Sequence, residues 1–162
     1  MRKSGDKASP TDAYGRGLGL LSRREHSARE LEAKLSRKGH DKQEITSAIG
    51  RLRGKSYQSD ERFAIGITRT RIAQGYGPAR IRAELKSHGL ADVAIRAAIA
   101  AADADWLALA TAQLKRRFGA KLPPDREERG RRARFLLRRG FDPATVRAVT
   151  RAEAGDPGEE FD

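Results

Sequence analysis

The sequence predicts an all-α protein: nine helices in three tandem three-helix units that form an elongated, curved modular array. Three observations predict it. The first is a repeat: Leu31, Leu35, Gly39, Ile45 and Ile49 recur fifty residues later as Ile81, Leu85, Gly89, Ile95 and Ile99, and Leu136, Gly140 and Val146 supply a third copy. A fixed period of this length marks an array of small supersecondary blocks. The second is that apolar residues fall at helical spacing and no segment shows the period-two alternation of a strand. The third is a regular punctuation of helix-start and helix-stop residues. A block of about 50 residues buries little apolar surface by itself, so neighbouring blocks must pack on one another.

Residues 1–10 read as a flexible leader ending at Pro10. In the first unit, 11–57, Thr11 or Asp12 caps a helix running to about Arg24, with Leu18 and Leu21 on its buried side. Gly15, Gly17 and Gly19 weaken this helix by roughly 1 kcal/mol each relative to Ala. Ser27-Ala28-Arg29-Glu30 is a capping box, and Leu31 and Leu35 sit four apart behind it. Gly39 stops that helix, because glycine takes the left-handed C′ conformation without penalty. Asp41-Lys42-Gln43-Glu44 is a second capping box, opening a stripe of Ile45, Ala48, Ile49 and Leu52.

The second unit, 58–104, repeats the plan. Ser59 or Asp60 starts a helix bearing Phe63 and Ile67, and Gly75-Tyr76-Gly77 breaks it. Pro78 takes the first position of the next helix, where a missing N–H costs nothing. Ile81, Leu85 and Gly89 follow, and Val93, Ile95 and Ile99 carry the last helix. In the third unit, 105–152, Asp105 caps a helix with Leu107, Leu109 or Ala110, Leu114 and Phe118. Asp125 caps the next as far as Arg138 and Gly140, and Asp142-Pro143 opens the last, with Val146 and Val149. Residues 153–162 read as an acidic, disordered tail.

Charge narrows the partner class. The chain carries 34 Lys+Arg against 22 Asp+Glu, a net +12. Residues 1–57 are net +7, 58–104 net +2, 105–152 net +8 and 153–162 net −5. Such an excess points to a polyanion or an acidic protein surface. Without cysteine there are no disulfides or thiolate metal sites. No apolar run reaches the ~20 residues of a membrane span, and no secretory signal is visible, so a cytoplasmic protein is expected.

Motifs for chemistry are weak. Gly54-Lys55-Ser56 resembles the end of a phosphate-binding loop, but that pattern requires glycine where Ile49 stands. Gly15-Arg16-Gly17-Leu18-Gly19 has the wrong spacing for a dinucleotide fingerprint. His26, His40 and His88 are scattered and read as surface residues. No cofactor, metal or catalytic set is expected. Leu35 to Ile49 also fits a helix-turn-helix, although its recurrence in every unit favours an ordinary helical corner.

The basic clusters carry the functional signal. For phosphate contact they are Arg37 and Lys38, Arg51, Arg53 and Lys55, Lys115-Arg116-Arg117, and Arg131, Arg134 and Arg138. The last three lie within about 60° on a helical wheel, roughly opposite Ala133 and Leu137. Arginine dominates, and its planar fork matches phosphate and carboxylate. Among aromatics, only Tyr57 and Tyr76 are candidates for base stacking.

Leu21-Ser22-Arg23-Arg24-Glu25-His26-Ser27-Ala28-Arg29-Glu30-Leu31, then Lys34-Leu35 and Gly39, resembles the opening of the RecX family of bacterial regulatory proteins. Asp60-Glu61-Arg62-Phe63-Ala64 with Gly75, Gly77-Pro78, Ile81, Glu84-Leu85 and Gly89 resembles its central unit, and Arg138-Arg139-Gly140-Phe141 its C-terminal unit. The third unit departs most, with Arg132 in the place of Ile81. The resemblance implies tandem three-helix units and a non-enzymatic negative modulator of the recombinase RecA, acting in homologous recombination, DNA repair and the SOS response. It implies binding in the groove of the RecA–DNA filament, inhibition of ATPase and strand exchange, and contact with single- and double-stranded DNA. On this reading Arg69, Arg71, Arg80, Arg82 and Lys86 of the near-neutral middle unit meet the filament protein, and the outer units meet phosphate. A monomer without membrane association is expected. The alternative is a freestanding helix-turn-helix DNA-binding protein.

Overall fold

The computed structural model describes residues 11–154; the expected leader at 1–10 and positions 155–162 of the expected tail lie outside the described residues. Among the described residues there are nine α-helices and no strand. They are α1 (Ala13–Leu21), α2 (Ala28–Arg37), α3 (Lys42–Gly54), α4 (Asp60–Ala73), α5 (Pro78–Ser87), α6 (Asp92–Ala101), α7 (Trp106–Phe118), α8 (Arg126–Arg138) and α9 (Pro143–Ala154). Two compact units are formed, one running to Phe63 and the other starting at Ala64, so the division falls within α4.

In the first unit, α1, α2 and α3 enclose Ala13, Leu35, Ile45 and Ala48, with Tyr14 and Ile49 packed at the edge. Leu31 and Leu52 are also fully buried. Asp12 caps α1 by accepting from the Gly15 N–H at 2.7 Å. The helix ends at Leu21, short of the expected Arg24, and its buried residues are Ala13 and Gly17. Leu18 is more than a third exposed, contrary to expectation. The physical reason lies in Gly17: a Cβ there would stand 2.7 Å from Leu52 Cδ1. The glycines that weaken α1 as a helix therefore let it lie close against α3.

The loop after α1 is held by polar contacts within the same unit. Ser27 caps α2 through the Glu30 N–H at 3.0 Å. Asp60 Oδ1 accepts from the Ala28 N–H and from Gln58 Nε2, both at 2.9 Å. Gln58 Nε2 also donates to the His26 carbonyl at 3.3 Å. Arg62 Nε donates to Glu25 at 2.8 Å, while its Nη2 reaches the carbonyls of Ser56 and Tyr57. Ser59 caps α4 through the Arg62 N–H at 3.2 Å, which settles the choice between Ser59 and Asp60. Asp60 is the latch.

In the second unit Ala64, Ile81, Leu85, Leu90, Ile95 and Ala98 are buried. Val93 is 68% exposed and takes no part in the core, against expectation. A separate cluster of Ala110, Leu114, Leu136, Phe141, Val146 and Val149 forms among α7, α8 and α9, with Trp106, Phe118 and Phe135 against it. Leu107 is half exposed and Ala110 holds the buried position. Leu137 is also exposed, so α8 buries Arg132 and Leu136. The last helix continues past the expected start of the tail at 153, and Glu153 Oε1 lies 2.8 Å from Arg132 Nη1.

The repeat has a common backbone signature. Gly39, Gly89 and Gly140 have φ of +90°, +77° and +92°. At each corner the next N–H bonds back to the carbonyl four residues before the glycine: His40 to Leu35, Leu90 to Leu85 and Phe141 to Leu136. This is the Schellman ending, and its left-handed residue favours glycine.

Two corners of the second unit cap one another. Gly77, the N-cap of α5, makes no side-chain capping bond and Pro78 has no N–H to satisfy. Carbonyls at the end of α8 do the capping instead. The Gly77 N–H donates to the Arg139 carbonyl at 2.8 Å and the Ala79 N–H to the Gly140 carbonyl at 2.9 Å. In return the Arg139 guanidinium donates to the carbonyls of Gln74 and Gly75, past the end of α4. Orphan donors of one helix thus meet orphan acceptors of another. The approach requires glycine, since a Cβ on Gly77 would overlap Phe141 N and the Gly140 carbonyl.

Candidate nucleic-acid interface

The cationic side chains gather at helix ends. Lys34 and Arg37 lie in the last turn of α2, Arg51 and Arg53 in that of α3, Lys115, Arg116 and Arg117 in that of α7, and Arg138 in that of α8. Cations there offset the partial negative charge of the terminal carbonyls. The same placement presents them to solvent. All eleven residues expected at phosphate (Arg37, Lys38, Arg51, Arg53, Lys55, Lys115, Arg116, Arg117, Arg131, Arg134 and Arg138) are exposed.

Some carry internal contacts as well. The Arg51 guanidinium lies 4.1 Å from the centre of the Tyr14 ring and Lys55 Nζ lies 5.6 Å from it. Arg53 Nε donates to Gln58 at 3.4 Å, and Arg131 lies 3.2 Å from Glu128.

The five residues expected to meet protein separate into two groups. Arg71 is half-buried and makes a fork with both Glu84 oxygens, at 2.7 and 2.6 Å. That hydrogen bond is the main cause of a lowered Glu84 pKa and a raised Arg71 pKa. Arg80 lies 4.1 Å from the centre of the Tyr76 ring. Arg82 lies 3.0 Å from Asp142. These three side chains make contacts within the second unit. Arg69 is exposed, and Lys86, 4.0 Å from Asp92, is about three-quarters exposed.

The stacking candidates divide in the same way. Tyr76 is occupied by Arg80 and by Arg139, whose guanidinium also lies 4.1 Å from the ring centre. Tyr57 remains about half exposed.

His26 is a correction: it is 2% exposed, not a surface residue. Its Nδ1 donates to the Arg24 carbonyl at 3.0 Å, so Nε2, 3.0 Å from Lys34 Nζ, accepts from the ammonium. Burial is the main reason its pKa is lowered, which favours this neutral tautomer. Glu30 beside it accepts both Arg24 Nη groups and lies 3.4 Å from Lys34. Burial pushes the Glu30 carboxyl up, but the Arg24 hydrogen bonds and the nearby cations outweigh it and hold the pKa at about 2.

The first unit also forms a groove of about 590 Å³ between α1 and α2. Its rim holds Arg16, Arg23, Lys34, Arg37 and Lys38, its floor is Gly19, Leu20 and Leu35, and no carboxylate lines it. Of these cations only Arg37 and Lys38 are expected from the sequence as contacts. Arg16 and Arg23 arrive from a different helix and the loop after it. The sequence signal available was Lys34, Arg37 and Lys38 at i, i+3 and i+4, one helical face.

No group of three or more His, Cys, Asp or Glu among the described residues is placed to hold a metal ion. No helix among them is long and apolar enough to cross a membrane. The described residues form three-helix domains whose helix ends are cationic.

Family models for the first, second and third three-helix domains of RecX match residues 13–52, 59–99 and 103–150 in turn. The chain is 44% identical over 154 residues to the regulatory protein RecX of Xanthomonas oryzae pv. oryzae strain PXO99A, covering 95% of each chain. It is 43% identical over 141 residues to that of Stenotrophomonas maltophilia strain K279a, covering 87% of this chain and 86% of the other. Its fold is similar to the crystal structure of RecX from Lactobacillus salivarius, with a TM-score of 0.72 at 21% identity over 89% of this chain and 96% of that one. The chain belongs to the RecX family of regulatory proteins.

Proposed function

We propose that this protein is a non-enzymatic negative modulator of the recombinase RecA. It binds in the groove of the RecA–DNA filament and inhibits ATPase activity and strand exchange. Membership of the RecX family across all three domains carries this reading. The exposed helix-end cations support it, because a filament groove offers both a phosphate-bearing strand and a protein wall. Lys115, Arg116 and Arg117 are assigned to phosphate, with Arg37, Lys38, Arg51, Arg53 and Lys55 of the first domain and Arg131, Arg134 and Arg138 of the third. For the protein wall the exposed Arg69 and Lys86 are the direct contacts. Arg71, Arg80 and Arg82 act through the shape of the domain they brace. The setting is cytoplasmic and the active form a monomer.

Co-sedimentation with RecA filaments on single-stranded DNA, together with RecA ATPase, tests the proposal. The expected result is recovery with the filament and inhibition at substoichiometric protein. A protein that stays in the supernatant and leaves ATPase unchanged, yet footprints duplex DNA at a defined sequence without RecA, would instead establish the helix-turn-helix alternative.

A further inference from the structure

We infer that the groove between α1 and α2 is a seat for single-stranded nucleic acid, with phosphates on its cationic rim and a base against its apolar floor. The inference rests on the filament-binding reading and deepens it, by naming a site and a strand type.

Four observations carry it. The rim brings five cations together with no carboxylate among the lining residues; Lys34 pairs with Glu30 at 3.4 Å, and the other four make the groove complementary to a polyanion. Two of those cations are fixed: Arg16 Nε donates to the Thr11 carbonyl at 3.2 Å and Arg37 Nε to the Ala33 carbonyl at 3.3 Å. A guanidinium pinned through Nε offers its two Nη groups to a phosphate as a fork. Lys34 is positioned by His26 and Glu30, so its ammonium stands at a set place on the wall. Finally, the floor of Leu20, Leu35 and Gly19 is apolar, and about 590 Å³ falls within the range of pockets that take a small ring system.

The strand type follows from the same geometry. Paired bases present no exposed face to an apolar floor, whereas an unstacked base does. An acidic peptide is the competing polyanion. Arginine clusters can also read acidic or phosphorylated peptides, but short carboxylate side chains leave the apolar floor uncovered, whereas a base covers it. The groove is walled by the sides of two helices, whose main chain is internally bonded, and its floor is too small for a helix.

The test uses the full-length protein and a fluorescein-labelled oligothymidylate, read by anisotropy over a salt series. Arg16→Ala combined with Arg37→Ala should weaken binding about tenfold and reduce the magnitude of the salt slope by about 1.4, at about 0.7 per phosphate contact on a single strand. An oligonucleotide of the same length and charge but abasic should bind at least several-fold more weakly to the wild-type protein. Polyglutamate should compete no better than simple salt. Lysine acetylation of the wild-type protein, which does not depend on any variant folding, should show Lys34 and Lys38 protected by the oligonucleotide and the exposed Lys42 unprotected. Unchanged affinity and slope in the double variant, or equal modification of Lys38 and Lys42, would overturn the groove assignment while leaving filament binding intact. Equal affinity for the abasic strand would overturn the base seat. Displacement by polyglutamate at matched charge would overturn the nucleic-acid assignment. Failure of the wild-type protein to bind either the oligonucleotide or the filament would be failure of the broader reading.

Discussion

Arg132 shows how a single position can depart from a repeat and keep the fold. The fifty- and fifty-one-residue offsets put it level with Leu31 and Ile81, both fully buried, and it too is only 3% exposed. The charge is accommodated by Glu153 at 2.8 Å, Glu128 at 3.6 Å, the Lys121 carbonyl at 3.0 Å and the Phe118 ring. Removing one partner of a buried ion pair is costly, whereas replacing the pair's function with apolar packing often is not. Arg132→Ala should therefore destabilise the protein by about 3 kcal/mol, and Arg132→Ile combined with Glu153→Leu should lose clearly less, because the double replacement removes both members of the buried pair while Glu128 keeps Arg131. Urea unfolding of the three proteins checks this; equal loss in both variants would contradict it. His26 gives a second prediction at this scale. Its folded pKa lies below the ordinary value near 6.5, so its contribution is present above that pH and is lost as pH falls through the folded value. Thermal stability should decline as the pH is taken below about 6.5, and His26→Asn should lack that component. Glu30, held at about 2 against an ordinary 4.5, has the same sign but acts lower, between about pH 4.5 and 2. Neither burial was legible in the sequence. A lone histidine beside a capping serine gives no sign that a loop folds over it, and an arginine at an apolar register position reads as a lost repeat.

At the scale of elements, the sequence showed where helices start and stop better than it showed which faces they bury. Asp12, Ser27, Asp41, Asp105 and Asp125 cap as their residue types require, each accepting from an N–H three residues on. Caps are local chemistry, and local chemistry is written in adjacent residues. Faces depend on the neighbour. Leu18, Val93 and Leu107 are apolar and exposed, while Gly17 is buried because α3 comes close. The mutual capping of α5 and α8 was illegible for the same reason: Gly77-Pro78 looks like an uncapped start until the Arg139 and Gly140 carbonyls arrive. Gly77→Ala should push those corners apart. The predicted loss is at least about 2 kcal/mol, in the upper half of the usual range for overpacking, because the obstruction is backbone and not a yielding side chain. Trp106, the only tryptophan, lies edge-on to Phe141 with ring centres 6.5 Å apart, so its fluorescence should report the disturbance. Unchanged emission and stability would show that the corners tolerate separation.

At the scale of the whole molecule, charge was the most legible property, since it is a count. The outer thirds of the chain, net +7 and +8, hold most of the exposed helix-end cations, and the middle third, net +2, directs Arg71 and Arg82 at its own domain's carboxylates or those of its neighbour. Neutralising Lys115, Arg116 and Arg117 together should weaken DNA-dependent binding and flatten its salt dependence by about 2 in slope on single strands. An unaltered slope would move phosphate contact elsewhere. Which middle-domain arginines are spent internally was not legible, because Glu84 and Asp142 stand 13 and 60 residues from their partners.

The latch at the start of α4 bears on how this protein can be dissected into fragments. The repeat suggests cutting after Tyr57, yet Gln58, Asp60 and Arg62 are the groups that secure the turn between α1 and α2. A piece ending at 57 would leave the Ala28 amide without its acceptor and the His26 carbonyl without its Gln58 donor, and should melt well below one that ends at Phe63. A weak or unfolded N-terminal fragment made at the shorter boundary would thus reveal a misplaced scissor, not an inert domain.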